Sequence, residues 1–272
     1  MRTVAHISDL HFGRHDPEIA DALLASVERH RPNLVVVSGD LTQRARHHEF
    51  TAARAFLERI KAPKIVIPGN HDMPLFNVIA RLRRPLARFE HHLGPLLTPA
   101  QHYEDGELSV LGLNTARRLT GKNGRISHEQ MAEIRKVFAD RPNRVFKVLA
   151  THHPLAIPSG GASVDLAGRS NAAVAAIAGA GVHLLLSGHY HRSTSGELAA
   201  ELAANRSVLV VHAGTAISVR RRGGEANAYN LIQLDADRLS IAVMEWMAPE
   251  GFRELRSARY VLSPDGHWRL PR

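Results

Sequence analysis

Five short apolar runs in the first two thirds of this chain stop at side chains that can ligate a metal. "AHISDLH" ends in Asp9 and His11, "VVVSGDLT" in Asp40, and "VIPGNHD" in Asn70, His71 and Asp72. "VLATHHP" delivers His152 and His153, and "LLLSGHYH" delivers His189 and His191. An Asp after Gly is commonly a turn residue, and a lone His on an apolar run is commonly a hydrogen-bonded core residue. Five run ends of one kind, all with oxygen or nitrogen donors and none with lysine, point instead to a metal site. The donors Asp9, His11, Asp40, Asn70, His152, His189 and His191 are too many for one four-coordinate ion. They suit two ions roughly 3.5–4 Å apart, as in two-metal hydrolases, and Asp40 stands alone as a carboxylate able to give one oxygen to each. Two divalent ions bring roughly four positive charges, of which Asp9 and Asp40 cancel half. What remains attracts a phosphoryl anion, and a neutral Asn70 preserves that attraction. Asn70 thus reads as a ligand, His71 as a neighbour of the substrate, and Asp72 as an orienting group behind them. Asp9/His11 and His189/His191 are two residues apart, so in extended chain each pair shares a face.

The elements that must position these groups show in the periodicity. Strands are expected over 3–8, 33–38, 64–68, 108–114, 145–151 and 182–187. They alternate with helices over 17–30, 48–61, 127–139 and 171–179, and with an Arg-rich helical stretch over 75–94. From about 205 the pattern changes to consecutive strands in "SVLVVHAG", "AISVRRR", "AYNLIQLD" and "LSIAVMEWM", joined by turns at Gly223-Gly224 and Asp235-Ala236-Asp237. Ligands of open α/β sheets collect beyond the carboxyl ends of the strands, where all five donor groups fall. The layout predicts a single α/β domain over residues 1–272, without repeats, low-complexity tracts or linkers.

Composition narrows the chemistry. The chain has 272 residues and no cysteine, so no disulfide holds it and a metal must use nitrogen and oxygen ligands. Lys and Arg number 35 against 26 Asp and Glu, a net charge of +9 that favours anionic partners. The arginines cluster at Arg81/Arg83/Arg84, Arg117/Arg118 and Arg220–Arg222, without the interleaved aromatics of a single-stranded nucleic-acid platform. Nucleic acid is therefore not supported, whereas contact with a membrane surface is compatible with the charge. No apolar stretch reaches membrane-span length, and "MRTVAHISD" lacks the apolar core of a signal peptide. A cytoplasmic protein is expected.

Taken in order, D-x-H, G-D, G-N-H-D, H and G-H-x-H resemble the calcineurin-like metallophosphoesterase superfamily. They stand here as Asp9-Leu10-His11, Gly39-Asp40, Gly69-Asn70-His71-Asp72, His152-His153 and Gly188-His189-Tyr190-His191. The resemblance implies a four-layer αββα sandwich, two mixed β-sheets flanked by helices, with the strand-rich tail (about 205–262) completing the second sheet. It implies one metal on Asp9, His11, Asp40 and His191 and another on Asp40, Asn70, His152 and His189. His153, with Asp72, would lie near the substrate or behind the ligands. A hydroxide bridging the metals would attack phosphorus in line. His71 would stabilise the phosphoryl oxygens or protonate the leaving group. Mn²⁺ or mixed Fe/Mn is the expected metal content, with Zn²⁺ also suited to such ligands, and a homodimer is an expectation from related enzymes.

"GDLTQRA" lacks the Asp-Arg-Gly of phosphoprotein phosphatases, and Asn70-His71-Asp72 differs from the Asn-Arg-Asp usual in UDP-diacylglucosamine pyrophosphatases. "ISDLHFG", "GDLT", "PGNHD", "HHP" and "GLNTARRLTGKNGRIS" resemble instead the bacterial cyclic-nucleotide phosphodiesterase and glycerophosphodiesterase branch. That implies a metal-dependent phosphodiesterase acting on cyclic nucleotides or other small anionic diesters. Arg117, Arg118 and Lys122 are candidates to meet a phosphate or carboxylate of the substrate, as are Arg220–Arg222 in the "GTAISVRRRGG" turn, a solvated basic hairpin being the alternative for each cluster. The alternatives are a phosphomonoesterase or nucleotide pyrophosphatase using the same centre, and a non-catalytic phosphate-binding scaffold.

Overall fold

The computed structural model describes residues 1–94, 100–142, 144–159, 164–198, 208–221, 224–235, 237–263 and 267–270. The elements run β1 (Arg2–Ile7), α1 (Pro17–His30), β2 (Leu34–Ser38), α2 (His47–Glu58), β3 (Lys64–Ile67), α3 (Val78–Arg83) and α4 (Ala87–Leu93). They continue as β4 (Ala100–Glu104), β5 (Leu108–Leu113), α5 (His128–Phe138), β6 (Phe146–Thr151), α6 (Ser170–Gly179), β7 (Leu184–Ser187), β8 (Thr194–Glu197) and β9 (Leu209–His212). β10 (Ala228–Asp235), β11 (Arg238–Met247), β12 (Gly251–Leu262) and β13 (Trp268–Arg269) complete the chain.

The parallel strands are apolar on both faces, and their period of two sorts side chains into separate cores. In β1, Val4 faces a core between two sheets while Ala5 and Ile7 face helices; in β2, Leu34 and Val36 part from Val35 and Val37 in the same way. One helix-side core joins these residues to Leu23 and Val27 of α1 and to Phe50 and Phe56 of α2. Another joins Leu149 and Leu185 to Ile134 of α5 and Ile177 of α6. The middle core locks Val36 and Ile67 of one sheet to Val148 and Leu186 of the other. Four layers result, two mixed sheets with helices outside both. Each fully buried Leu or Val contributes about 1.5–3 kcal/mol.

One sheet runs β13-β12-β11-β10-β1-β2-β3 and the other β4-β5-β6-β7-β9-β8. β1, β2 and β3 are parallel, as are β5, β6, β7 and β9. The helices start where the sequence chemistry says they should. Asp16 caps α1 by accepting from the Glu18 and Ile19 amides, and Ser127 and Gln130 cap α5 reciprocally. Each such cap is worth about 1 kcal/mol.

Several elements depart from expectation. The tail, expected to complete the second sheet, divides: β9 joins that sheet, while β10 to β13 extend the first from the edge of β1. β10 covers a β1 edge that would otherwise be open to strand pairing. "AISVRRR" is irregular apart from an isolated bridge between Ser218 and His15. Arg222, Gly223 and Ala236 lie outside the described residues. The helical stretch over 75–94 breaks at Arg84 (φ −142°, ψ 73°) because Pro85 disfavours helical backbone before it. β4 and β8 are short polar edge strands without an apolar pattern to announce them.

Candidate metal centre

The chain leaves β1, β2 and β7 through left-handed backbone at the predicted ligands themselves. Asp9 (φ 54°), His11 (φ 48°), Asp40 (φ 51°), His189 (φ 76°) and His191 (φ 58°) are five of the eight described non-glycine residues with positive φ. Asp and His are among the side chains that tolerate this region, at roughly 1–2 kcal/mol each. The expectation that the two i, i+2 pairs share a face of extended chain is therefore corrected: these segments are tight bends. Two glycines make the bends fit. A Cβ on Gly39 (φ 94°) would lie 2.6 Å from His152 Nδ1, and one on Gly188 would lie 1.8 Å from Ser8 Oγ.

The bends gather the donors. His11 Nε2 lies 3.2 Å from His191 Nε2 and 3.6 Å from Asp9 Oδ1, and His191 Nε2 lies 3.2 Å from Asp9 Oδ1. Asp40 Oδ2 lies 3.4 Å from His152 Nε2 and 3.9 Å from His11 Nε2, so it faces both sides of the cluster. His189 Nδ1 is 3.3 Å from His152 Nε2. Among the described residues, three groups hold donor atoms all within 4.8 Å of one another: Asp9, His11 and His191; Asp9, Asp40 and His152; and His152, His153 and His189. Six of the seven predicted ligands are buried, and Asn70 is part-exposed.

Hydrogen bonds fix which atom each ring presents. His152 Nδ1–H donates to the Ser38 carbonyl at 2.7 Å, and His191 Nδ1–H to the Arg220 carbonyl at 3.0 Å. Both rings are left presenting Nε2 to the cluster, the second-partner arrangement that orients metal-binding imidazoles. Asp9 Oδ2 accepts from Ser8 Oγ at 2.7 Å and from the His189 amide at 3.0 Å, which ties the two sheets together and leaves Oδ1 for the cluster.

The electrostatics are those of a site balanced around positive charge. Burial opposes ionisation of Asp9, but His191, His11 and His152 hold it well below the usual carboxylate range. Asp40 is also held low against burial, chiefly by His152. Burial pushes the His152 imidazolium down, yet Asp40 and Asp9 lift it to about 9. His191 is raised in the same way, against its burial, by Asp9. Its own burial, with His152 and His189 nearby, drives His153 down, so that ring stays neutral.

The residues fit divalent cations. Among the described residues Asn70 Oδ1 is a buried oxygen with no hydrogen-bond partner, a cost of about 1–3 kcal/mol unless something satisfies it, and Asp9 Oδ1 meets the imidazoles of His191 and His11 at 3.2 and 3.6 Å. Both belong to a sulfur-free set of carboxylates, amide and imidazoles, which suits Mn²⁺, Fe or Zn²⁺.

The other predicted residues divide. Asp72 accepts from the amides of Leu41, Thr42 and Gly69 and from Thr42 Oγ1, stitching the loops after β2 and β3 together. Burial and then Asp40 raise its carboxyl to about 6, against those amide bonds. His71 donates its amide to Asp40 Oδ1 at 2.8 Å and Nδ1–H to the Gln43 carbonyl at 2.8 Å. His153 Nδ1 and Thr115 Oγ1 share a hydrogen bond at 2.8 Å. Arg117 and Arg118 hold loops instead: Arg117 donates to the Asn114 and Ala116 carbonyls and to Gln130, and Arg118 to the Leu82 carbonyl. The arginine that reaches the centre is Arg220, whose Nη1 donates to His71 Nε2 at 3.1 Å. The sequence offers the run Arg220–Arg222 as a candidate for a phosphate or carboxylate, with nothing local to single out Arg220 within it.

Residues 2–193 match the calcineurin-like phosphoesterase family. An 80-residue segment is 40% identical to glycerophosphodiester phosphodiesterase GpdQ of Enterobacter lignolyticus, covering 25% of this chain and 29% of that protein. An 82-residue segment is 30% identical to a probable cyclic nucleotide phosphodiesterase of a Synechococcus strain, covering 26% and 32%. The matched part thus spans about a third of each relative. A dimetal phosphatase from Danio rerio shares the fold, with a TM-score of 0.67 at 15% identity, over 96% of this chain and 99% of its own. Family and side-chain clusters together indicate a dimetal site. With its motif-bearing segment matched across both sheets, this chain belongs to the calcineurin-like phosphoesterase family.

Proposed function

We propose that the protein is a binuclear metal-dependent phosphodiesterase acting in the cytoplasm on small anionic diesters, cyclic nucleotides and glycerophosphodiesters being the first classes to test. The observation that supports this reading is the clustering of Asp9, His11, Asp40, His152, His189 and His191 from four strand ends, with His153 beside them and a buried Asn70 Oδ1 without a hydrogen-bond partner at a fifth. Names of matched relatives support the diester over the monoester.

Asp9, His11, Asp40 and His191 would hold one ion, and Asp40, Asn70, His152 and His189 the other; Mn²⁺ or mixed Fe/Mn is our choice of metal. Bound there, the ions would polarise the phosphoryl oxygens and supply a nucleophile from water at neutral pH. The chain's own groups do the positioning. The Ser38 and Arg220 carbonyls keep His152 and His191 in the tautomer that presents Nε2. Asp40 and Gln43 hold His71 so that its Nε2 faces Arg220. In the complex, an anionic phosphoryl oxygen competes for the Arg220 guanidinium, and His71 Nε2, freed of that donor, takes up a proton from solvent with which to hold that oxygen or to protonate the leaving group.

The test is to strip the purified protein of metal, restore Mn²⁺, and compare an aryl phosphodiester, its monoester and cyclic AMP. Metal-dependent turnover favouring diesters upholds the reading. Cleavage of the monoester alone transfers the site to monoesterase chemistry. Two bound metals with no turnover of any of the three rejects cyclic AMP and aryl diesters as substrates.

A further inference from the structure

Three residues after Asp72 the chain becomes apolar and stays exposed. α3 buries none of its side chains. Leu75, Phe76, Val78, Ile79 and Leu82 are between 42% and 72% exposed, and Leu119 is 76% exposed. A single exposed Leu needs no explanation, but a contiguous group does. Leu119 belongs to that group because two arginines tie its loop to α3. Arg81 Nε donates to the Arg118 carbonyl at 3.1 Å, and Arg118 Nη1 to the Leu82 carbonyl at 2.6 Å. The patch adjoins the centre, since a three-residue span puts the Leu75 Cα within about 11 Å of that of Asp72.

The surroundings are basic. Residues 73–89, 108–128 and 208–224 carry four, four and three Lys or Arg and no Asp or Glu. Arg83 and Arg84 are exposed on α3 and at its end, and Arg44 lies over the Phe76 ring at 5.3 Å. Glu90, 3.7 Å from Arg84, and Asp165, 3.3 Å from Lys122, offset two of these charges. Apolar side chains interleaved with arginines supply the two signals that stable attachment to an anionic bilayer needs, insertion and charge. A second copy of the chain fits this face less well, because a two-fold contact gathers the arginines of both copies at one interface, where like charges repel.

We propose that α3 and the loop tied to it seat the protein on an anionic lipid surface, with the metal centre opening toward that surface to receive phosphoester head groups. The docking surface stands on exposure and charge alone; the choice of substrate rests on the phosphodiesterase reading.

Flotation of the full-length protein with vesicles of phosphatidylglycerol and phosphatidylcholine, against phosphatidylcholine alone, tests it. Two double variants accompany the wild type: Phe76→Ser with Ile79→Ser, and Arg83→Ser with Arg84→Ser. All four side chains are exposed, so no core is lost. The wild type is expected to float with the anionic vesicles only, and each variant about tenfold less, while turnover of a dissolved aryl diester is unchanged. Failure of the wild type to float, or flotation that both variants retain, overturns the proposal. So does a dimer in sedimentation that Phe76→Ser with Ile79→Ser dissociates without any vesicle binding. Flotation without turnover of any diester upholds the docking surface and rejects the phosphodiesterase reading; turnover without flotation does the reverse.

Discussion

At the residue scale, the centre works by leaving selected atoms unsatisfied. Asn70 Oδ1 has no hydrogen-bond partner although it is buried, so replacing Asn70 with Ala removes a donor without relieving any protein contact at that atom. Asn70→Ala should lose one of two bound ions, with metal affinity down by about a hundredfold or more; elemental analysis and Mn²⁺ titration measure both. Full metal content in the variant would remove Asn70 from the ligand set. His71 is one position away and behaves differently, because both its anchors are hydrogen bonds to protein and its Nε2 points to Arg220. His71→Ala should keep both ions while kcat on an aryl diester falls about 10²–10⁴-fold. Metal loss in that variant would make His71 a ligand. Ligand types at strand ends were legible in the sequence because each follows an apolar run. The division of labour between neighbours such as His71 and Asp72 was legible only in part, since it depends on which distant amide or carbonyl each side chain meets.

At the element scale, the important features are the bends that follow the strands. β1, β2 and β7 end, and within four residues the chain has turned through left-handed backbone to aim its donors inward. Gly188 lets one bend pass against Ser8 and Asp9 of the opposite sheet. Gly188→Ala should therefore act on both sheets: Tm falls by roughly 5 °C and metal affinity weakens, as thermal scans with and without Mn²⁺ would read. A Tm within a degree of wild type would mean that the approach relaxes at little cost. The parallel strands and major helices were readable from periodicity. β4 and β8 were not, because an edge strand needs no apolar pattern when its neighbour supplies the burial. The break at Arg84-Pro85 was written in the sequence, and proline's steric demand on the preceding residue is enough to explain it.

At the scale of the whole molecule, the interface between the sheets contains buried imidazoles that must stay neutral. His6 in β1 bonds Ser38 and Asn230, and Asn230 reaches the carbonyl of His212 in the opposite sheet. Burial, then His212, lowers His6 to about 3, and burial lowers His212 to about 4. Both are bases with depressed folded values, so below pH 6.5 the unfolded chain takes up protons first. Their contribution is present above pH 6.5 and is lost as pH falls toward 4 and then 3. Each contributes up to about 1.4 kcal/mol per pH unit. Asp72, raised to about 6, opposes one of them in the same window, because its protonated form favours the fold. His152, raised to about 9, is silent there and loses its contribution only as pH rises through 9. Denaturant unfolding of the metal-free protein should thus show stability falling between pH 6.5 and 4, with a shallower slope in His212→Asn. An unchanged slope in that variant would place the acid sensitivity elsewhere.

The sequence by itself determined the α/β class and the donor inventory, because both depend on local patterns: apolar runs alternating with helical periodicity, and polar residues where the runs stop. Tertiary structure decided the rest. It put β10 beside β1 rather than in the second sheet, and it brought Arg220 onto His71 across 149 residues. It also spent Arg117 and Arg118 on carbonyls of their own neighbourhood and left the apolar residues of α3 facing outward. Hydrophobic periodicity records how an element is buried, but not which element it meets. A guanidinium's partner and a helix's unburied face are settled only when distant segments close on one another.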